Sequence, residues 1–131
     1  MNVRGSLAVA LVSAALLVSG CSQSSGTSNV VGTWVGDYAF ALADGSANKS
    51  VETLVITRQE GDLLWGYEQW EEDGEQMRAD LTGTLTDGSG ILLTEPAGFF
   101  TGTVDDDTML VTFTKIDTEQ HTAFEVSLTR Q

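Results

Sequence analysis

Glu75-Gln76-Met77-Arg78-Ala79-Asp80-Leu81-Thr82-Gly83-Thr84-Leu85-Thr86 alternates without a break. Met77, Ala79, Leu81, Gly83 and Leu85 fall on one face, and Gln76, Arg78, Asp80, Thr82, Thr84 and Thr86 on the other. A period of two over this length means an antiparallel strand with one packed face and one wet face. The pattern recurs on both sides. Leu54 and Ile56 alternate with Thr53, Val55 and Thr57, and Phe124, Val126 and Leu128 alternate with Ala123, Glu125, Ser127 and Thr129. Threonine is frequent, which suits a pleated, half-solvated surface. Helical periodicity is missing after residue 30.

Turn signals separate the runs: Asp44-Gly45, Glu60-Gly61-Asp62, Asp73-Gly74, Asp87-Gly88, Pro96-Ala97-Gly98 and Asp105-Asp106-Asp107. Asp-Gly between alternating runs is a strong hairpin signal. Eight strands are therefore expected, over 31–41, 50–59, 62–71, 75–86, 89–94, 98–104, 108–116 and 120–130. Asp44 to Lys49 is expected to form the longest connection. Short hairpins describe an all-β up-and-down meander. Closing it into a barrel removes its two exposed edges. A β-sandwich is the rival, but no long crossover is present for a Greek key. An eight-stranded barrel has an interior that side chains fill or that holds one small ligand.

The amino terminus carries a different message. A single basic residue, Arg4, precedes an apolar run from Leu7 to Val18, and Val18-Ser19-Gly20-Cys21 closes it. Charged, apolar and small-residue regions in that order make a secretory signal. The run is shorter than the roughly 20 residues needed to span a bilayer. Cys21 is the only cysteine. The tetrapeptide resembles the lipobox of bacterial lipoproteins. That resemblance implies a signal peptide over 1–20, acylation of Cys21, and extracytoplasmic attachment to a membrane. In a Gram-negative source Ser22, where an aspartate favours inner-membrane retention, implies the outer membrane. Residues 21–29 then form a lipidated cysteine and a tether, Ser22 to Asn29, with no charge and no large apolar group. Such a segment is expected to stay flexible. Residues 30–131 form one domain, since about 100 residues support one core.

The first strand reads Val31-Gly32-Thr33-Trp34-Val35-Gly36-Asp37-Tyr38. Gly32-x-Trp34 at the head of a meander resembles the opening of lipocalins and other calycin barrels, and of avidins. The resemblance implies that Trp34 plugs one end of the barrel. The polar biotin-binding residues of avidins have no match, so no ligand is implied.

All 19 acidic residues follow Cys21, against 5 basic residues once Arg4 is removed, for a net charge of −14. That balance argues against nucleic acid and against anionic lipid head groups. It permits cationic partners and self-repelling solubility. The aromatic group Trp65, Tyr67 and Trp70 is the candidate for ligand or partner binding, because such side chains join an apolar body to a polar tip. Trp65 and Tyr67 share a face with Leu63, and for this pair the core reading weighs more than the binding one. Trp70 lies on the opposite face, beside Glu68, Glu71 and Glu72, which suggests a wet setting. Glu71 to Glu75 and Asp105 to Asp107 have carboxylates for calcium but not the spacing of a calcium loop, and read as solvated hairpins. His121, the single histidine, reads as a surface residue. No nucleophile elbow is present. The expectation is a non-enzymatic, lipid-anchored binding module for a small apolar ligand or peptide, with no cofactor and no metal. The alternative is a filled-core interaction or inhibitor protein whose acidic loops meet a cationic envelope protein.

Overall fold

The computed structural model describes residues 28–116 and 122–131. Cys21, most of the expected tether and His121 lie outside the described residues. Eight antiparallel strands follow in order: β1 (Gly32–Ala41), β2 (Ala47–Glu60), β3 (Leu63–Glu72), β4 (Glu75–Thr86), β5 (Gly90–Glu95), β6 (Gly98–Asp105), β7 (Thr108–Lys115) and β8 (Ala123–Arg130). Each pairs with the next, and β8 returns to β1. The result is a closed up-and-down barrel, not a sandwich. At the seam Trp34 lies opposite Arg130, and the Gln131 N–H donates to the Thr33 carbonyl at 2.9 Å.

Local chemistry sets the hairpins. Glu72 pairs with Glu75 across Asp73-Gly74, whose φ values of 52° and 82° are those of a two-residue type I′ turn. The first connection is shorter than expected. Asp44 Oδ1 accepts from the Ser46 N–H at 2.9 Å and the Ser46 hydroxyl at 2.6 Å, an Asx turn that lets Ala47, Asn48 and Lys49 join β2 at once. The widest interval between successive strands lies instead between the end of β7 at Lys115 and the start of β8 at Ala123.

The barrel needs sharp bends, and small residues provide them. A Cβ on Gly36 would lie 2.2 Å from the Ser127 carbonyl oxygen, and one on Gly66 would lie 2.0 Å from that of Val55. Gly66 faces Ile56 just where β2 carries a bulge, between Ile56 and Arg58. Bulge and glycine together turn the wall.

One core fills half of the barrel. Trp34, Leu54, Ile56, Leu64, Leu81, Leu85, Leu93, Phe100, Val111, Val126 and Leu128 belong to it. The inward phases expected for β2, β4 and β8 are those observed. On β3 the inward residues are Leu64, Gly66, Glu68 and Trp70, so Leu63, 54% exposed, is on the outer wall with Trp65 and Tyr67. The reading of Trp65 and Tyr67 as core is therefore corrected. Both runs on β3 offered apolar residues, and Gly66 gives the inner one room to bend.

The two barrel ends differ. The turns after β2, β4 and β6 gather with the entering chain at one end, and those after β1, β3, β5 and β7 at the other. The first end is closed. Trp34 is fully buried there, its indole N–H donating to the Val30 carbonyl at 3.0 Å. The Arg130 guanidinium lies 4.2 Å from the Trp34 ring centre and pairs with Asp107 at 2.9 Å. It also donates to the carbonyls of Val31 and Asn29, each at 2.8 Å. Gly32 completes the arrangement: its φ is +149°, and a Cβ there would approach the guanidinium at 3.3 Å. Ser28 and Asn29, expected in the free tether, are held to this end. The Ser28 hydroxyl donates to the Gly88 carbonyl, and Gln59 donates to the Ser28 carbonyl.

Candidate functional site

The second end is open. A cavity of about 760 Å³ enters the barrel from it, within the range of small-molecule sites. Two groups of unlike chemistry line it. One is aromatic, from β1, β7 and β8. Tyr38 stacks on Phe124 with ring centres 3.9 Å apart, and Phe113 lies 5.2 Å from Phe124. Phe113 contacts Phe100 at 4.7 Å, which joins this wall to the core beneath it. Phe40 stands further out, 5.8 Å from Tyr38.

The other group is acidic, from β2, β3 and β5. It carries Glu52, Glu68 and Glu95, with Trp70 above them. Among the described residues, Glu52 and Glu68 are the buried polar side chains, 2% and 4% exposed. Both project inward because of strand phase. Glu52 continues the stripe of Leu54 and Ile56, and Glu68 that of Leu64 and Gly66. Glu68 pairs with Leu54, so the two acids are diagonal neighbours on one face. Glu52 Oε1 has no hydrogen-bond partner among the described residues.

This placement decides their charge. Burial, then the neighbouring Glu68 charge, pushes the Glu52 carboxyl up to about 9, although the Thr53 N–H partly offsets the rise. Burial, then Glu95, pushes Glu68 up to about 8. The two carboxyls titrate as a coupled pair, and burial holds both well above the ordinary carboxylate range. Near neutral pH both are carboxylic acids. Burial also raises the Tyr38 hydroxyl, against a hydrogen bond with Ser50.

The sequence-based candidates separate. Trp70 lines the cavity near its mouth, half-buried and outside the core cluster. Trp65 and Tyr67 lie on the outer wall. Arg58 covers the Trp65 ring at 3.8 Å, and Arg78 covers Tyr67 at 3.6 Å. These cation–π contacts occupy both ring faces that a partner would use. Glu68, expected in a wet setting, is buried. Glu71 to Glu75 form the exposed tip of the β3–β4 hairpin, and Asp105 to Asp107 form the β6–β7 turn, where Asp107 holds Arg130.

Three residues of weight escaped the sequence reading: Glu52, Glu68 and Arg130. Each carries the same signal, a charge placed in phase with an apolar stripe.

These features define an eight-stranded up-and-down barrel with one sealed end and one open end. No family model matches the chain, and no curated protein does. Among solved structures it is similar to Rv2717c from M. tuberculosis, at 14% identity over 77% of this chain and 92% of that chain, with a TM-score of 0.53. It is also similar to a redesigned beta barrel, b11L5F_LGL, at 17% identity over 77% and 90% of the two chains, with a TM-score of 0.54. Both likenesses concern the fold.

Proposed function

We propose that this protein is a lipid-anchored, non-catalytic binding module that holds a small ligand with an apolar body in the open end of its barrel. The cavity of about 760 Å³, with its aromatic wall, carries this reading. A filled-core inhibitor would need no such space. The lipobox-like Val18 to Cys21 supports the anchor. Residues 28–30 sit at the sealed end, so a short tether from Cys21 would turn the mouth away from the membrane. With Ser28 and Asn29 held to the barrel, the six residues 22–27 would span about 13 Å as a random coil, so the barrel would stand close to the surface with its opening toward the solvent.

Two results are expected. Cys21→Ala abolishes membrane attachment, read by fractionating expressing cells. A variant that still pellets with membranes after a salt wash would rule out the lipid anchor. The neutral dye N-phenyl-1-naphthylamine binds the chain carrying Cys21→Ala, with a rise in fluorescence. Adding Trp70→Ala weakens that binding by about 2 kcal/mol, roughly 30-fold, as truncating a hot-spot aromatic does. The urea midpoint stays nearly unchanged, because Trp70 lies outside the core cluster. Unfolding by Trp70→Ala, or equal dye binding, would remove Trp70 from the site.

A further inference from the structure

We infer that the ligand of this cavity is a small organic cation: an ammonium group on an aromatic or branched apolar body, with the ammonium at Glu52 and Glu68 and the body against Tyr38, Phe124 and Trp70. This rests on the binding reading above and names its chemistry.

The first support is the unpartnered oxygen of Glu52, inside a cavity open to solvent at its other end. Buried polar atoms are nearly always paired, and each exception needs an explanation. A donor brought by a ligand supplies the missing partner. A cation supplies more than a neutral donor does, because the charged described residues that shift the two carboxyls, Glu68 and Glu95 for Glu52 and Glu95 for Glu68, are themselves acidic.

The second support is the shape of the cavity. Aromatic rings line the same cavity as the acids, with Tyr38 on the strand next to Glu52, and ring faces attract an ammonium or its apolar carrier. The mouth adds Glu71, Glu72 and Asp73, and a negative field there draws cations in and repels anions. The groups facing the two acids are Tyr38 on β1, Lys49 on β2, Glu72 on β3, Glu95 on β5 and Lys115 on β7. A metal ion is the other cation to weigh. No three His, Cys, Asp or Glu side chains among the described residues are grouped to hold one.

Binding then displaces a proton. The ammonium keeps its three hydrogens, the coupled Glu52–Glu68 pair gives up one proton to solvent, and the carboxylate so formed meets the cation. Affinity therefore rises with pH while the pair is fully protonated in the free protein and the ligand is still cationic.

The test compares three probes of one shape against the chain carrying Cys21→Ala: tryptamine (cation), tryptophol (neutral) and indole-3-propionate (anion). Each competes with the bound dye, and calorimetry in buffers of different ionisation enthalpy counts protons. Tryptamine is expected to bind about 10- to 100-fold more tightly than tryptophol near neutral pH, as a charge-assisted hydrogen bond gives, and to release protons. Glu52→Gln should remove that advantage, read as the ratio of tryptamine to tryptophol affinity. Equal binding of tryptamine and tryptophol, or an unchanged advantage in Glu52→Gln, overturns the cation assignment while dye binding keeps the module. Calcium ions alone releasing protons in a Glu52-dependent way also overturns it. If neither dye nor any probe binds, both readings fall.

Discussion

Trp34→Ala is expected to destabilise the barrel by about 3–5 kcal/mol, the range for emptying a large aromatic core site. The upper part of that range fits better, for three reasons. Trp34 is fully buried. Its indole N–H holds Val30, which covers the sealed end. Its ring also supports the Arg130 guanidinium, which ties together Asn29, Val31 and Asp107. Without the ring that guanidinium loses its platform and faces a void. A single domain has about 5–15 kcal/mol in all, so the variant is left marginal. Urea melts of the two proteins measure the loss. Trp34→Phe, which keeps most of the volume and drops the indole hydrogen bond, is expected to lose markedly less. A shift within about 0.5 kcal/mol for Trp34→Ala, the range of surface changes, would mean that Trp34 does not seal the barrel.

The barrel was legible in the sequence because its strands alternate and its turns are chemically explicit. Met77 to Leu85 and Phe124 to Leu128 admit one inward face each, and Asp73-Gly74 dictates its own hairpin. β3 was harder. Leu63-Leu64-Trp65-Gly66-Tyr67-Glu68 places large apolar groups in both phases, and bulk alone favours the wrong one. Contacts from outside the strand decide it. Arg58 and Arg78, on the neighbouring strands, cover Trp65 and Tyr67, and the β2 bulge needs Gly66 turned inward. None of this is local in the chain. The acidic wall was hidden for a related reason. Glutamate reads as solvent-facing until the phase of its strand is known, and Glu52 and Glu68 then become the unusual members of two apolar stripes. The sealed end was legible only in part: Gly32 and Trp34 are a local pair, whereas Arg130 closes the arrangement from the far end of the chain.

Glu52→Gln is expected to stabilise the unliganded barrel by about 2–4 kcal/mol near pH 8, and to change it little near pH 4.5. The sign follows from proton binding. Glu52 goes from an ordinary value of 4.5 to about 9 on folding, and Glu68 to about 8. Between those limits the folded state holds protons that the unfolded chain has released. Stability is therefore fully present below the unfolded value. It falls as pH rises toward the folded values and levels off above them, at a cost of up to about 1.4 kcal/mol per pH unit per group. Glutamine keeps the shape and never needs the proton, so its variant loses the part of the slope due to Glu52. Self-repulsion of the other carboxylates lowers stability in the same direction, but it is common to both proteins and cancels in the difference. Urea melts of both across the pH range give the two curves. They should meet in acid and diverge upward through neutral pH. Parallel curves would mean that Glu52 ionises freely in the folded barrel and is not held in a dry wall. A residue whose replacement strengthens the fold, and whose loss removes the preference for a cationic ligand, is one kept for binding at a cost in stability.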